Sequence, residues 1–109
     1  ASLFAAARAD QLVAEASTTY SRWPQTPDVA ERIAAFLPSA RFIYLLRHPV
    51  DRAYSHYAHH MRGGVSMSFE DALSRRDDYV DCSLYMQQLQ RYRRHFTEDQ
   101  ILVLLLEDL

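Results

Sequence analysis

Apolar and polar positions along the 109 residues fall into continuous runs and periodic stretches. Arg41 to Leu46 (RFIYLL) and Ile101 to Leu106 (ILVLLL) are unbroken apolar runs of strand length, the pattern of parallel strands covered on both faces. Gln11 to Ala14 (QLVA) predicts a shorter buried strand ending at the polar loop Glu15 to Tyr20. Helical spacing fills the rest. Ser2 to Arg8 reads as the end of a helix. Asp28 stands where it can cap a second, with Val29, Ile33, Ala34, Phe36 and Leu37 on its apolar face and Pro38 ending it. Pro49, at a first helical position, opens a helix to Met61, and Gly63-Gly64 marks a turn. Ser68 caps a short helix through Ala72 and Leu73, and a longer helix covers Ser83 to Phe96.

Strands alternating with helices predict an α/β fold: a three-layer parallel sheet with helical crossovers, right-handed in nearly all cases. Ligands in such sheets sit beyond the carboxyl ends of the strands, here Glu15 to Tyr20, Arg47-His48 and Glu107-Asp108. No internal repeat, low-complexity tract or linker interrupts residues 1–109, which read as part of one domain. The chain opens at Ala1 without Met and stops just after an apolar run, so it reads as an interior piece.

Composition narrows the chemistry. A net charge of -2, with basic residues spread along the chain, argues against a nucleic-acid partner. All 12 basic residues are Arg, so a P-loop or Schiff-base lysine would lie outside this sequence. The single cysteine, Cys82, offers neither an internal disulfide nor a zinc framework and reads as a small packing residue, with a lean towards a reducing compartment. No apolar run approaches the roughly 18 residues of a membrane span. Arg8 and Asp10 rule out reading the first ten residues as a signal peptide.

The most informative stretch is Leu45 to Tyr57, LLRHPVDRAYSHY. A buried strand delivers Arg47 to the sheet edge and a helix starts at once, so helix-end N–H groups and a guanidinium both favour an anion there. Ser55 lies roughly 9 Å along that helix, within reach of a phosphate lying beside it. On the residues alone Arg47 is equally a strand-end cation paired with Asp51 or Glu107. Ser55 alone would by default bond back to its own helix, and Arg52 reads as a helix-surface or ion-pairing residue.

An arginine ending the strand, a proline two residues on and a serine eight residues after the arginine resemble the 3′-phosphate-binding segment of sulfotransferases. Glu15 to Tyr20 (EASTTY), Val29 to Pro38 (VAERIAAFLP), Ser68 to Leu73 (SFEDAL), Leu84 to Phe96 (LYMQQLQRYRRHF) and Gln100 to Leu109 are similar to that family too, in its bacterial and heparan-sulfate-type branches. The resemblance implies an incomplete P-loop-NTPase-like sulfotransferase fold and a donor, 3′-phosphoadenosine 5′-phosphosulfate (PAPS), with no metal. Arg47 and Ser55 would hold its 3′-phosphate. Glu15 matches the family's catalytic base, with Ser17 and Tyr20 in the same short motif at the acceptor. Ala16 stands where a lysine often follows that glutamate, which alters the electrostatics beside it. The family's glycine- and lysine-containing loop for the 5′-phosphosulfate has no counterpart here, so the piece alone is expected to be inactive. The acceptor would be a small molecule or carbohydrate bearing a hydroxyl or amine. A bacterial cytoplasmic protein is favoured, and the Golgi lumen is compatible.

Other readings remain at this stage. His56, His59 and His60 share one helix face and invite a metal, without a partnering Cys or carboxylate motif. More simply, they are boundary residues of a helix lining the cleft. Tyr54, Tyr57, Tyr85, Tyr92 and Phe96 read as core, Tyr85 also as a nucleotide neighbour by resemblance, and Trp23 as a loop anchor or acceptor-pocket wall. A P-loop kinase would need a strand-end metal-binding Asp, for which Asp108 is the candidate. A non-catalytic nucleotide-binding module is the alternative outside enzymes.

Overall fold

Two parallel strands organise the chain, β1 (Phe42–Leu46) and β2 (Ile101–Leu105), paired in register from Phe42 opposite Ile101 to Leu46 opposite Leu105. The computed structural model describes residues 4–64, 66–76 and 78–109. Helices α1 (Val29–Phe36), α2 (Pro49–Arg62), α3 (Phe69–Arg75), α4 (Asp78–Asp81) and α5 (Tyr85–Arg93) complete the regular structure, with short 3-10 turns at Thr18–Ser21, Glu98–Gln100 and Leu106–Asp108. Helices α2 to α5 form the crossover between the strands, as the alternation of runs predicts. Among the described residues no helix is long and apolar enough to cross a membrane.

The register has a local cause. Gln100 accepts from the Thr97 N–H through Oε1 at 2.9 Å, and its Nε2 donates to the carbonyls of Pro38 (2.9 Å) and Ala40 (3.0 Å). One side chain thus fixes the entrance of β2 against the entrance of β1. Above them Phe42 packs edge-on to Tyr92 and Phe96, with centroids 5.0 and 4.7 Å away, and Tyr44 meets Tyr85 at 5.9 Å. These contacts seat α5 on one face of β1. The other face is left uncovered by the described residues: Ile43 is 72% exposed, so they cover one side of a run that predicts cover on both.

A second core joins α2 to α3 and α4. Ala53, Ala72 and Tyr79 are buried there, with Tyr57, Met67, Phe69 and Leu73 packed around them. Small residues at Ala53 and Ala72 let the helices approach closely enough for Tyr79 to fill the space between. The α2 helix stops at Gly63, whose N–H returns to the His59 and His60 carbonyls, and Gly64 follows at φ 98, a conformation glycine adopts freely. Ser68 caps α3 as its sequence predicts, accepting from the Asp71 N–H at 3.2 Å.

Several expectations change. Gln11 to Ala14 form no strand: among the described residues β1 pairs with β2 alone, no neighbour offers the segment a hydrogen-bond ladder, and Leu12 is fully exposed. Asp28 occupies the N-cap position of α1 but makes no side-chain cap, because its backbone is left-handed at φ 65. Phe36, placed on the apolar face of α1, is 82% exposed, and Leu37 is exposed with it. Tyr54 is exposed although its ring meets Tyr57 and Phe69. The long helix over Ser83 to Phe96 is shorter and follows a separate turn of helix, α4, to which Ser83 bonds back, its Oγ donating to the Tyr79 carbonyl at 2.8 Å. Part of the helix expected at Ser2 to Arg8 falls on residues 1–3, outside the described residues. Phe4 to Ala6 form a turn.

Candidate functional site

The carboxyl ends of β1 and β2 lie side by side because the strands are parallel, so Arg47 and the turn Leu106–Asp108 leave the sheet at one edge. Tyr85 on α5 donates its hydroxyl to the Arg47 carbonyl at 2.8 Å, which fixes the backbone where the strand ends. His48 then caps α2, its Nδ1 accepting from the Val50 N–H at 3.2 Å. Pro49 brings no N–H of its own, and the Asp51 N–H has no acceptor among the described residues. The Arg47 guanidinium is exposed and pairs with neither Asp51 nor Glu107. Among the described residues, therefore, an unpaired cation precedes a helix start with a spare donor.

Ser55 is exposed on α2, one turn beyond Asp51, while Ala53 between them is buried. No hydrogen bond joins Ser55 to Arg47, and its hydroxyl has no partner among the described residues. Glu15 lies in an exposed irregular segment rather than at a strand end, because the strand expected before it does not form. Ser17 uses its hydroxyl locally: it caps the Thr18–Ser21 turn, accepting from the Thr19 N–H at 3.2 Å, and bonds the Thr19 hydroxyl at 2.7 Å. Tyr20 is half-buried, and its carbonyl accepts from the Tyr92 hydroxyl at 2.6 Å. Asp108, the kinase candidate, is exposed in the turn after β2.

Two concavities flank Tyr20. One, of about 180 Å³, is lined by Trp23, Gln88, Arg91 and Tyr92 among others. The second, of about 630 Å³, runs along Ile33, Phe36 and Leu37 of the α1 face. Neither includes Arg47, Ser55 or Glu15. The open edge where Arg47 emerges, and not an enclosed cavity, is the better candidate for an anion, since an exposed guanidinium and a helix start with a spare N–H lie within four residues of each other there. Trp23 is a loop anchor: Gln88, 2% exposed, accepts from its N–H at 2.9 Å and donates to its carbonyl at 2.8 Å, and Arg91 stacks 3.8 Å from its ring.

The model of the Sulfotransferase family matches residues 2–109. The chain belongs to that family. The crystal structure of a sulfotransferase from Alicyclobacillus acidocaldarius is similar to it, with a TM-score of 0.72 and 32% identity over 86% of this chain. The chain spans 42% of that protein's length. No curated protein matches it.

This member of the family also contains a buried polar cluster that the sequence did not reveal. The Asp78 side chain, 7% exposed, lies 3.5 Å from Arg22, 3.3 Å from Arg76 and 3.7 Å from Nε2 of His56. Burial pushes its carboxyl up, but the Arg76 hydrogen bonds and the charges of Arg76, His56 and Arg22 outweigh that and hold it below the usual carboxylate range. Burial lowers His56 to about 4 against the pull of Asp78. Cys82, beside the cluster, is buried with its thiol pushed up by burial, which fits a packing role. In the sequence, Arg75-Arg76-Asp77-Asp78 looks like a solvated charge run. The one signal against that reading was Tyr79 and Cys82, apolar residues three apart that turn this segment inward. The three histidines divide: His56 faces Asp78, His60 Nδ1 meets the Tyr79 hydroxyl, and His59 is exposed.

Proposed function

We propose that this chain forms part of the donor and acceptor sites of a PAPS-dependent sulfotransferase acting on a hydroxyl or amine of a small-molecule or carbohydrate acceptor. The observation that carries the reading is Arg47: an unpaired guanidinium at a strand end, its backbone pinned by Tyr85, directly ahead of a helix start. Arg47 would grip the 3′-phosphate, and Ser55 would donate to it from the exposed side of α2. The residues present fit that group, since guanidinium, hydroxyl and N–H are all donors.

PAPS supplies the sulfuryl group and departs as 3′-phosphoadenosine 5′-phosphate. Glu15 takes the proton of the acceptor O–H or N–H as the acceptor atom bonds to sulfur and the bond from sulfur to the bridging phosphate oxygen breaks. Ser17 and Tyr20, on the same segment as Glu15, would border the acceptor. Most of the protein's work is alignment and charge neutralisation, as in phosphoryl transfer.

Titration of the whole protein with 3′-phosphoadenosine 5′-phosphate and with adenosine 5′-phosphate tests the reading. The first should bind more tightly, and Arg47→Ala should remove the preference with a loss of about 10- to 100-fold, the range for a hydrogen bond to a charged group. Equal affinity for the two nucleotides, or a preference that survives Arg47→Ala, would overturn it.

A further inference from the structure

The segment Tyr20 to Trp23 is held to the helical crossover at three successive points. Tyr92 bonds the Tyr20 carbonyl, Asp78 takes Arg22, and Gln88 takes both backbone groups of Trp23. The first and last anchors are on α5. Asp78 is different, because among these anchors it alone also faces α2, through His56, the residue next to Ser55. We propose that Asp78 is a positioning residue, a buried carboxylate that couples the loop carrying Ser17 and Tyr20 to the helix carrying Ser55. The inference rests on the functional reading above for what the two ends hold, while the coupling itself is a property of the fold.

The physical argument starts from burial. A carboxylate that is 7% exposed is tolerated only where cations replace its water, and Arg22 and Arg76 do so from the loop and from the end of α3. With His56 neutral, the cluster holds two guanidinium charges against one carboxylate. Removing that carboxylate leaves both arginines facing each other without a counter-charge. Arg76 holds Asp78 by two hydrogen bonds from a side chain 39% exposed, whereas Arg22, 31% exposed, meets it at 3.5 Å with its Nε buried and without a hydrogen-bond partner. Without Asp78 the buried Nε of Arg22 loses its nearest counter-charge, and the loop it belongs to should loosen first. The α2 side is steadied separately by Ala53 and Tyr57 in the second core.

Peptide-resolved hydrogen exchange on the whole protein, wild type and Asp78→Asn, tests the coupling without any ligand. Amides from Thr18 to Trp23 should exchange at least about tenfold faster in the variant, while those of β1 keep their wild-type rates. Where Asp78→Asn does not fold, Arg22→Gln reads the same contact from its outer partner, and Arg22→Lys should recover most of the protection. Equal acceleration in the loop and in β1, or no acceleration in the loop, would overturn the proposal, because a merely structural carboxylate would loosen the molecule evenly.

A second arm adds 3′-phosphoadenosine 5′-phosphate. In the wild type it should slow exchange of the loop, and in Asp78→Asn that slowing should vanish while affinity changes less than threefold. Loop exchange that still slows in the variant would count against the coupling. A wild type that does not bind this nucleotide would sink the donor-site reading instead, leaving the ligand-free arm to decide the role of Asp78.

Discussion

Nε2 of His56 stands 3.7 Å from the Asp78 carboxylate, yet the imidazole is neutral at pH 7, because burial lowers it to about 4. The close approach of a basic ring and an acid is thus not an ion pair. Desolvation outweighs the attraction of Asp78, helped by the repulsion of Arg52, His60 and Arg22. The ring packs edge-on to Tyr79 and beside His60, so packing and not charge holds it at the α2–α4 interface against the Asp78 carboxylate.

Stability should therefore fall as the pH drops from about 6.5 towards 4. An unfolded His56 titrates near 6.5 and the folded one near 4, so between them the unfolded chain binds more protons and acid favours it. His60, also lowered by burial and then by Arg76, adds in the same direction. Asp78 acts in a lower window: its depressed carboxyl contributes stability above its unfolded value, lost as the pH falls through the folded one. Urea midpoints measured from pH 7 to 4 should decline in the wild type and flatten in His56→Gln. A midpoint equally steep in both proteins would show that His56 is not the titrating group.

Gln88→Ala should be the most damaging single change on α5. Its amide satisfies the N–H and carbonyl of Trp23 and donates to the Asp81 carbonyl at 3.0 Å, all at 2% exposure. Truncation leaves buried backbone groups unpaired, with an expected loss of about 2–3 kcal/mol by chemical denaturation. A loss below about 0.5 kcal/mol would mean that water replaces the side chain.

Ala72→Leu should destabilise by about 1–3 kcal/mol, since Ala72 is fully buried in the cluster with Ala53 and Tyr79 and has no room for added methylenes. Ala72→Gly tests the same site from the other direction. It should cost about 1 kcal/mol through helix propensity.

Tyr85→Phe removes the hydroxyl that fixes the Arg47 carbonyl but keeps the ring against Tyr44. Global stability should fall by about 1 kcal/mol or less. On the proposed function, affinity for 3′-phosphoadenosine 5′-phosphate should drop a few-fold as the strand end gains freedom, which isothermal titration would read. An unchanged affinity would show that Arg47 is positioned by the helix start alone.

The elements with strong local signals were legible. Both apolar runs became the paired strands, Pro49 opened α2, Gly63-Gly64 closed it, and Ser68 capped α3, because each depends on backbone chemistry within a few residues. Arg47 and Ser55 could be placed on a strand end and the following helix for the same reason. Gln11 to Ala14 failed as a strand since pairing needs a neighbour, which no run of apolar letters supplies by itself.

Residue order alone determined the two paired strands, the bounds of α2, the cap of α3, and the presence of an arginine where the first paired strand hands over to a helix. Only the folded chain decided that Asp78 is buried between Arg22, Arg76 and His56, that Gln88 holds Trp23 from 65 residues away, and that Ser17 spends its hydroxyl on a turn. Those outcomes turn on desolvation and on partners distant in sequence, and a charged residue looks the same in a string of letters whether water or an arginine answers it.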